Sequence, residues 1–286
     1  MAGPGLLGQW GLSFLLEFVD AKGKSRRVIF DTGVNKQALL YNIRKLKVNM
    51  SDINCVVLSH GHADHTAATV EVIKAAGGVK VYAHPHAFLP RFYTDKRGKR
   101  QQIGVPKGEQ LKEIESAGGE VLLSTKPREV MPGLWSTGQI RRVSFENIII
   151  LSQREKLTIV ADGKEIKDKI LDDQALWMDV EGIGPLVITG CAHAGLVNTF
   201  LHVQKIGHFK HIRGMLGGTH LVGRSEEYLQ QTIKELKQFG LTMISPCHCT
   251  GFKATARLWQ AFNEAFVMNF SGRVIEIGKE PYVRVA

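Results

Sequence analysis

Residues 59–66 read Ser-His-Gly-His-Ala-Asp-His-Thr, placing three imidazoles and a carboxylate within six positions. Neutral imidazole and carboxylate are donors suited to zinc, iron or manganese. The apolar run Asn54-Cys55-Val56-Val57-Leu58 just before them reads as a buried strand, so the motif leaves a strand end. On an extended segment alternate side chains point the same way, and His60 and His62 can therefore grip one ion. Asp64 and His65, on the turn into the next helix, can face a second. The competing reading is a surface histidine cluster at a strand end, which this spacing of ligating side chains disfavours.

Further donors recur where later strand patterns end. His193 follows the apolar run Pro185–Thr189, His220 follows His211–Gly217, and His248 follows Thr242–Ser245. Around them stand the segments Asp172-Asp173-Gln174-Ala175-Leu176, Thr189-Gly190-Cys191-Ala192-His193-Ala194-Gly195, Gly217-Gly218-Thr219-His220-Leu221 and Pro246-Cys247-His248-Cys249-Thr250-Gly251, with Phe30-Asp31-Thr32-Gly33 one βα unit upstream of the first motif.

Together these residues resemble the metallo-β-lactamase superfamily over almost the whole chain. The later segments resemble its subgroup containing the synthase that joins a dihydropterin to ribofuranosylaminobenzene phosphate. The resemblance implies an α/β fold, the metallo-β-lactamase-like αββα four-layer sandwich with two facing sheets and helices outside. It also implies two divalent metal ions, zinc with iron or manganese as alternatives. Carried over residue by residue, it puts His60, His62 and His193 at one metal, and Asp64, His65 and His248 at the other. The family's bridging aspartate has no clean equivalent here. Cys191, His220 and Asp173 are the candidates for an additional ligand or a substrate contact. Asp31 is expected to orient a ligand histidine rather than to bind metal, and the Ser59 hydroxyl to cap its turn.

The implied activity is hydrolysis of an ester, lactone, phosphoester or β-lactam-like bond by a metal-bridging hydroxide. Two cations about 3.5–4 Å apart lower the pKa of a shared water and polarise the electrophilic oxygen. Asp64 is the candidate catalytic residue, accepting a hydrogen bond from that hydroxide. The alternative activity, implied by the subgroup, is transfer: condensation of a dihydropterin methyl diphosphate with ribofuranosylaminobenzene phosphate, releasing pyrophosphate.

Composition sets the bounds. The 286 residues are 44% hydrophobic, enough for a large core in one domain. No apolar stretch is long enough to span a bilayer, and the run Leu12–Val19 is broken by Glu17 and lacks a basic leader, so the expected location is cytoplasmic. Four cysteines at 55, 191, 247 and 249 are too few for a disulfide framework. Cys55 lies in the buried strand, and the other three adjoin candidate ligand histidines. A separate zinc site around Cys247-His248-Cys249 is disfavoured if that segment is extended, because adjacent side chains then diverge. An excess of 37 Lys and Arg over 27 Asp and Glu gives a formal charge of +10. That excess favours anionic partners, or is a general solvation habit; a small anionic substrate is expected, and nucleic acid is disfavoured because the cations are dispersed apart from the segment Arg91–Arg100.

Elements alternate along the chain. Leu12–Val19 and Arg27–Phe30 should form a hairpin, followed by a helix over Asn35–Lys45, a strand at 54–58, a helix over Thr66–Ala76 and a strand over Val79–His84. Residues 88–118 break the rhythm and read as a basic flap inserted into the single domain 1–286. Its cations over Arg91–Arg100 either hold a substrate phosphate or carboxylate, or are simply solvated. From Glu120–Ser124 a second set of strands is expected, including Ile148–Leu151, Leu157–Val160, Ala175–Val180 and Pro185–Thr189. Helices over Gly195–Ile206, Ser225–Phe239 and Phe252–Phe266 alternate with strands to the end. The histidines at 202, 208 and 211 are expected to be exposed. The Leu6–Trp10 start and Tyr282-Val283 are candidate edge or interface residues.

Overall fold

A computed structural model describes residues 2–146, 155–278 and the strand Val283–Val285. The expected strand at 148–151 and Tyr282 lie outside the described residues. The chain divides into two compact units, one from Gln9–Thr125 with Ile148–Asp173, the other from Met1–Gly8, Lys126–Asn147 and Gln174–Ala286.

The first unit is built on a five-stranded sheet in the order Phe14–Val19, Ser25–Phe30, Cys55–Val57, Lys80–Ala83, Glu120–Leu123. The first pair is the expected antiparallel hairpin, and the remaining pairs are parallel. Glu120–Leu123 therefore completes this sheet instead of opening a second set of strands. Alternation decides which side chains meet the helices. Val56, Leu58, Val81 and Ala83 pack with Leu39, Val72, Ile73 and Ile114 from three helices, each fully buried large aliphatic contributing about 1.5–3 kcal/mol. Cys55 and Val57, with the opposite orientation, are also buried. The helix Lys36–Lys45 starts where Asn35 Oδ1 accepts a hydrogen bond from Ala38 N at 2.9 Å. The helix expected over Thr66–Ala76 is two, Ala63–Thr66 and Thr69–Ala75. The first turn begins earlier and carries Asp64 and His65 on helical backbone.

Residues 88–118 have structure of their own. Arg91–Thr94 and Arg100–Gln102 form a hairpin that pairs through Arg91–Thr94 with Lys156–Ala161, and that strand pairs with Lys164–Lys167. Leu111–Ser116 is a helix leading into Glu120–Leu123. The strand partner lies more than sixty residues away, which is why local pattern alone left the segment without a period.

The second unit holds a six-stranded sheet in the order Met243–Cys247, Gly214–Gly218, Gly184–Thr189, Ala175–Val180, Leu134–Ser136, Arg128–Met131. The first two pairings are parallel and the rest antiparallel. Helices Leu196–Gly207, Glu226–Leu236 and Phe252–Phe262 cover one face, where Val187, Met215 and Ile244 pack with Phe200, Leu229 and Leu258. Ser225 caps its helix by accepting from Tyr228 N, and Gly240 in the left-handed region closes the 3₁₀ turn that follows it. His202 is buried rather than exposed, its Nε2 donating to the Thr137 carbonyl at 3.3 Å. It lies on the inner face of the helix, four residues beyond Asn198, which is buried too. Among the described residues no helix is long and apolar enough to cross a membrane.

Candidate metal centre

In each unit the donors follow the carboxyl ends of neighbouring parallel strands, where ligands of open α/β sheets bind. In the first unit those ends deliver Asp31 and Ser59 to His65. In the second they deliver Cys191 and His193, then His220, then His248.

The first donor group is organised by Asp31, fully buried with φ at 63°. Its Oδ1 accepts from Ser59 N at 2.7 Å, and its Oδ2 accepts from Ser59 Oγ at 2.7 Å and from His65 Nδ1 at 2.6 Å. A carboxylate has no proton to give, so His65 carries its proton on Nδ1 and turns the Nε2 lone pair outward. Ser59 Oγ spends its proton on Asp31 and so accepts from His60 Nδ1 at 2.8 Å, which leaves the His60 lone pair on Nε2 as well. One carboxylate thus fixes the tautomers of two candidate ligands, and Ser59 is a relay rather than a turn cap. His60 Nε2 lies 2.9 Å from His62 Nδ1, near the roughly 3.3 Å that separates two nitrogens on a tetrahedral zinc. The His60 and His65 rings lie 4.2 Å apart between centroids, and Asp64 Oδ2 is 3.7 Å from His65 Nε2.

The backbone between His60 and His62 is held from behind. Gly61 N donates to Asp172 Oδ2 at 2.8 Å. Asp172 in turn forms a two-pronged pair with the fully buried Arg91 at 2.7 and 3.0 Å, while Arg91 Nε meets Asp168 at 2.7 Å. A Cβ at Gly61 would lie 1.9 Å from the Ala87 carbonyl oxygen, so only glycine fits there. Burial and the Arg91 charge lower His62 to about 3, which keeps it a neutral donor. Burial raises a carboxyl, but Arg91 outweighs it and holds Asp172 at about 2. Arg91 is therefore structural. The remaining cations of its strand and turn, Lys96, Arg97, Lys99 and Arg100, are exposed, and Arg100 is paired with Glu165 and stacked on Phe92.

In the second unit, ligand atoms of Cys191, His193 and His220 lie within 4.8 Å of one another, as do those of Cys191, His248 and Cys249. The His193 and His220 rings are 4.2 Å apart. His220 Nδ1 is buried with no hydrogen-bond partner among the described residues, which is the condition of an imidazole that fits a metal ion. Ala192, His220 and His248 all have φ near +50°. Such backbone costs about 1–3 kcal/mol and concentrates at functional sites. His248–Thr250 is a 3₁₀ turn, not the extended segment expected, so His248 and Cys249 converge after all.

Of the candidate ligands, Asp173 is buried but joins no close donor group among the described residues. His84 and His86, although they follow the strand Lys80–Ala83, likewise join no close donor group among the described residues. Cys249, disfavoured as a donor on the expectation of an extended segment, joins a close donor group with Cys191 and His248. Its signal is its place directly after a candidate ligand in a turn, legible only once the 3₁₀ geometry is known.

Comparison with known proteins agrees with this architecture. The chain is 32% identical over 273 residues to 7,8-dihydropterin-6-methyl-4-(β-D-ribofuranosyl)-aminobenzene-5'-phosphate synthase of Methanocaldococcus jannaschii, covering 94% of this chain and 90% of that one. It is 33% identical over 271 residues to an uncharacterised protein of the same organism, covering 94% of both. The crystal structure of a metal-dependent hydrolase of the β-lactamase superfamily superposes with a TM-score of 0.76 at 22% identity, covering 97% of this chain and 95% of that one. The Metallo-beta-lactamase superfamily model matches residues 11–248, a span that includes every candidate donor from His60 to His248, and the chain therefore belongs to the metallo-β-lactamase superfamily and has its fold.

Proposed function

We propose that the chain is a dinuclear metalloenzyme of small anionic substrates, with His60, His62 and His193 at one ion and Asp64, His65 and His248 at the other. The observation that carries this reading is the tautomer control of the first donor group, where Asp31 turns the lone pairs of His60 and His65 away from their hydrogen-bonding nitrogens. The close donor group that His193 forms with Cys191 and His220 in the second unit supports it. The reading takes 1–286 as one domain, because the family match runs through both units.

The ions, when bound, would acidify a water and polarise the electrophilic oxygen; zinc, iron and manganese all suit imidazole and carboxylate donors. Asp64 would accept a hydrogen bond from the attacking water and aim its lone pair. Arg224 lines a cleft of about 130 Å³ with Leu221–Gly223 and Thr250–Phe252, within a few positions of His220 and His248 in sequence, and would attract a phosphate or carboxylate, while Lys253 at the same cleft is paired with Glu226 at 3.3 Å. On this reading the reaction is hydrolysis of an ester, lactone, phosphoester or β-lactam-like bond.

A second reading is favoured by the full-length similarity to the pterin-linked synthase. There the same ions would hold the diphosphate leaving group of a dihydropterin methyl diphosphate while ribofuranosylaminobenzene phosphate attacks. The two readings separate in one assay. Metal-loaded protein is offered the pterin diphosphate, the aryl ribose phosphate, both, or a panel of esters and lactones. Pyrophosphate release that requires both substrates selects the transferase, and turnover of the panel alone selects the hydrolase. Activity that survives complete chelation contradicts both.

A further inference from the structure

The second unit carries two thiols that the ligand set above does not use. Cys191 and Cys249 are buried, reduced and close, and the ligand atoms of Cys191, His248 and Cys249 lie within 4.8 Å of one another. Cys191 also belongs to the group with His193 and His220, so one sulfur stands in both donor groups. His220 N donates to Cys249 Sγ at 3.2 Å, the main-chain N–H to sulfur hydrogen bond that supports a metal thiolate. Room for the sulfur is built into the neighbouring strand: a Cβ at Gly218 would lie 2.8 Å from Cys249 Sγ and 2.3 Å from the Gly190 carbonyl oxygen. Ala192, His220 and His248, which adjoin these sulfurs in sequence or through the His220 N–H, all hold left-handed backbone.

We infer that Cys191, His248 and Cys249 form a thiolate–imidazole cation site, with Cys191 shared toward His193 and His220 in place of a bridging carboxylate. The inference rests on the reading of His248 as a metal ligand and adds sulfur to its coordination. Cys247 belongs to neither donor group. Two soft donors select zinc or cadmium over manganese and magnesium, and each ligand cysteine is deprotonated as the ion enters.

The test is cadmium titration of the chelated full-length protein, read by the ultraviolet sulfur-to-metal charge-transfer band and by proton release. The wild-type protein should develop the band and keep it in excess manganese. Cys191→Ser and Cys249→Ser should each lose most of it and bind cadmium at least about tenfold more weakly, whereas Cys247→Ser should match the wild type. Should the serine variants fail to fold, X-ray absorption on zinc-loaded wild-type protein gives the same answer, a sulfur shell at about 2.3 Å. Bound zinc with only nitrogen and oxygen neighbours overturns the sulfur site while leaving the imidazole centre standing. A protein that retains no metal overturns both.

Discussion

Asp31 accepts three hydrogen bonds in a backbone conformation that costs energy to hold, and its two oxygens decide which nitrogen of His60 and His65 faces outward. Asparagine at this position offers one acceptor oxygen to three donors. Asp31→Asn should therefore lower metal affinity by about 10- to 100-fold while leaving the fold intact, as measured by competition with a chromophoric chelator. Gly61 makes a complementary case. Gly61→Ala drives a methyl group into the Ala87 carbonyl, so the His60–His62 segment must shift. The expected outcome is a loss of about 1–3 kcal/mol in urea unfolding together with weakened metal binding. Asp31's orienting role is legible in the sequence through the resemblance. The Ser59 relay is not, because it depends on a hydroxyl rotamer fixed only when the ends of two parallel strands come side by side.

Two elements carry the positioning of the donors. The hairpin begun by Arg91–Thr94 anchors the His60–His62 loop through the buried Arg91–Asp172 pair and the Gly61 amide. Removing the cation strands Asp168 and Asp172 in a dry interior, so Arg91→Met should cost about 3–5 kcal/mol. Arg91→Met combined with Asp172→Asn should cost less than the sum of the two single changes, a coupling that a double-mutant cycle of unfolding free energies measures. In the second unit, Glu146 Oε2 accepts from Val197 N and Asn198 N at the start of the helix Leu196–Gly207, fixing the loop that carries Cys191 and His193. Burial raises the Glu146 carboxyl from 4.5 to about 7. The folded state therefore binds this proton more tightly than the unfolded chain. Its contribution is complete below about pH 4.5 and is lost as the pH rises to about 7, by no more than about 3 kcal/mol. Glu109 shifts the same way to about 7, so Glu146→Gln should reduce, without abolishing, the fall in stability between those pH values. The hairpin Phe14–Phe30 and the strands Ala175–Val180 and Gly184–Thr189 are legible from alternation and turn residues, because their partners are adjacent in sequence. Arg91 is misread as a flap cation for the opposite reason: its partners lie some eighty residues away, and charge in a sequence does not show burial.

On the scale of the whole molecule, the family, its fold and the six candidate metal ligands are legible in a handful of strand-end motifs. Parallel strands must deliver their following loops to one sheet edge, whatever the intervening sequence. The substrate is not legible there, since a donor set of imidazoles, thiols and carboxylates fixes an electrophile's activation and not its shape. In the proposed centre His60 and His193, 133 positions apart in sequence, serve one ion, and His65 and His248 the other. Metal content per chain, measured by mass spectrometry on zinc-reconstituted wild type and on His60→Ala, His193→Ala and their double variant, tests it most directly. Two ions are expected in the wild type and one in each of the three variants. Two ions lost in the double variant, or two retained in either single variant, would contradict it.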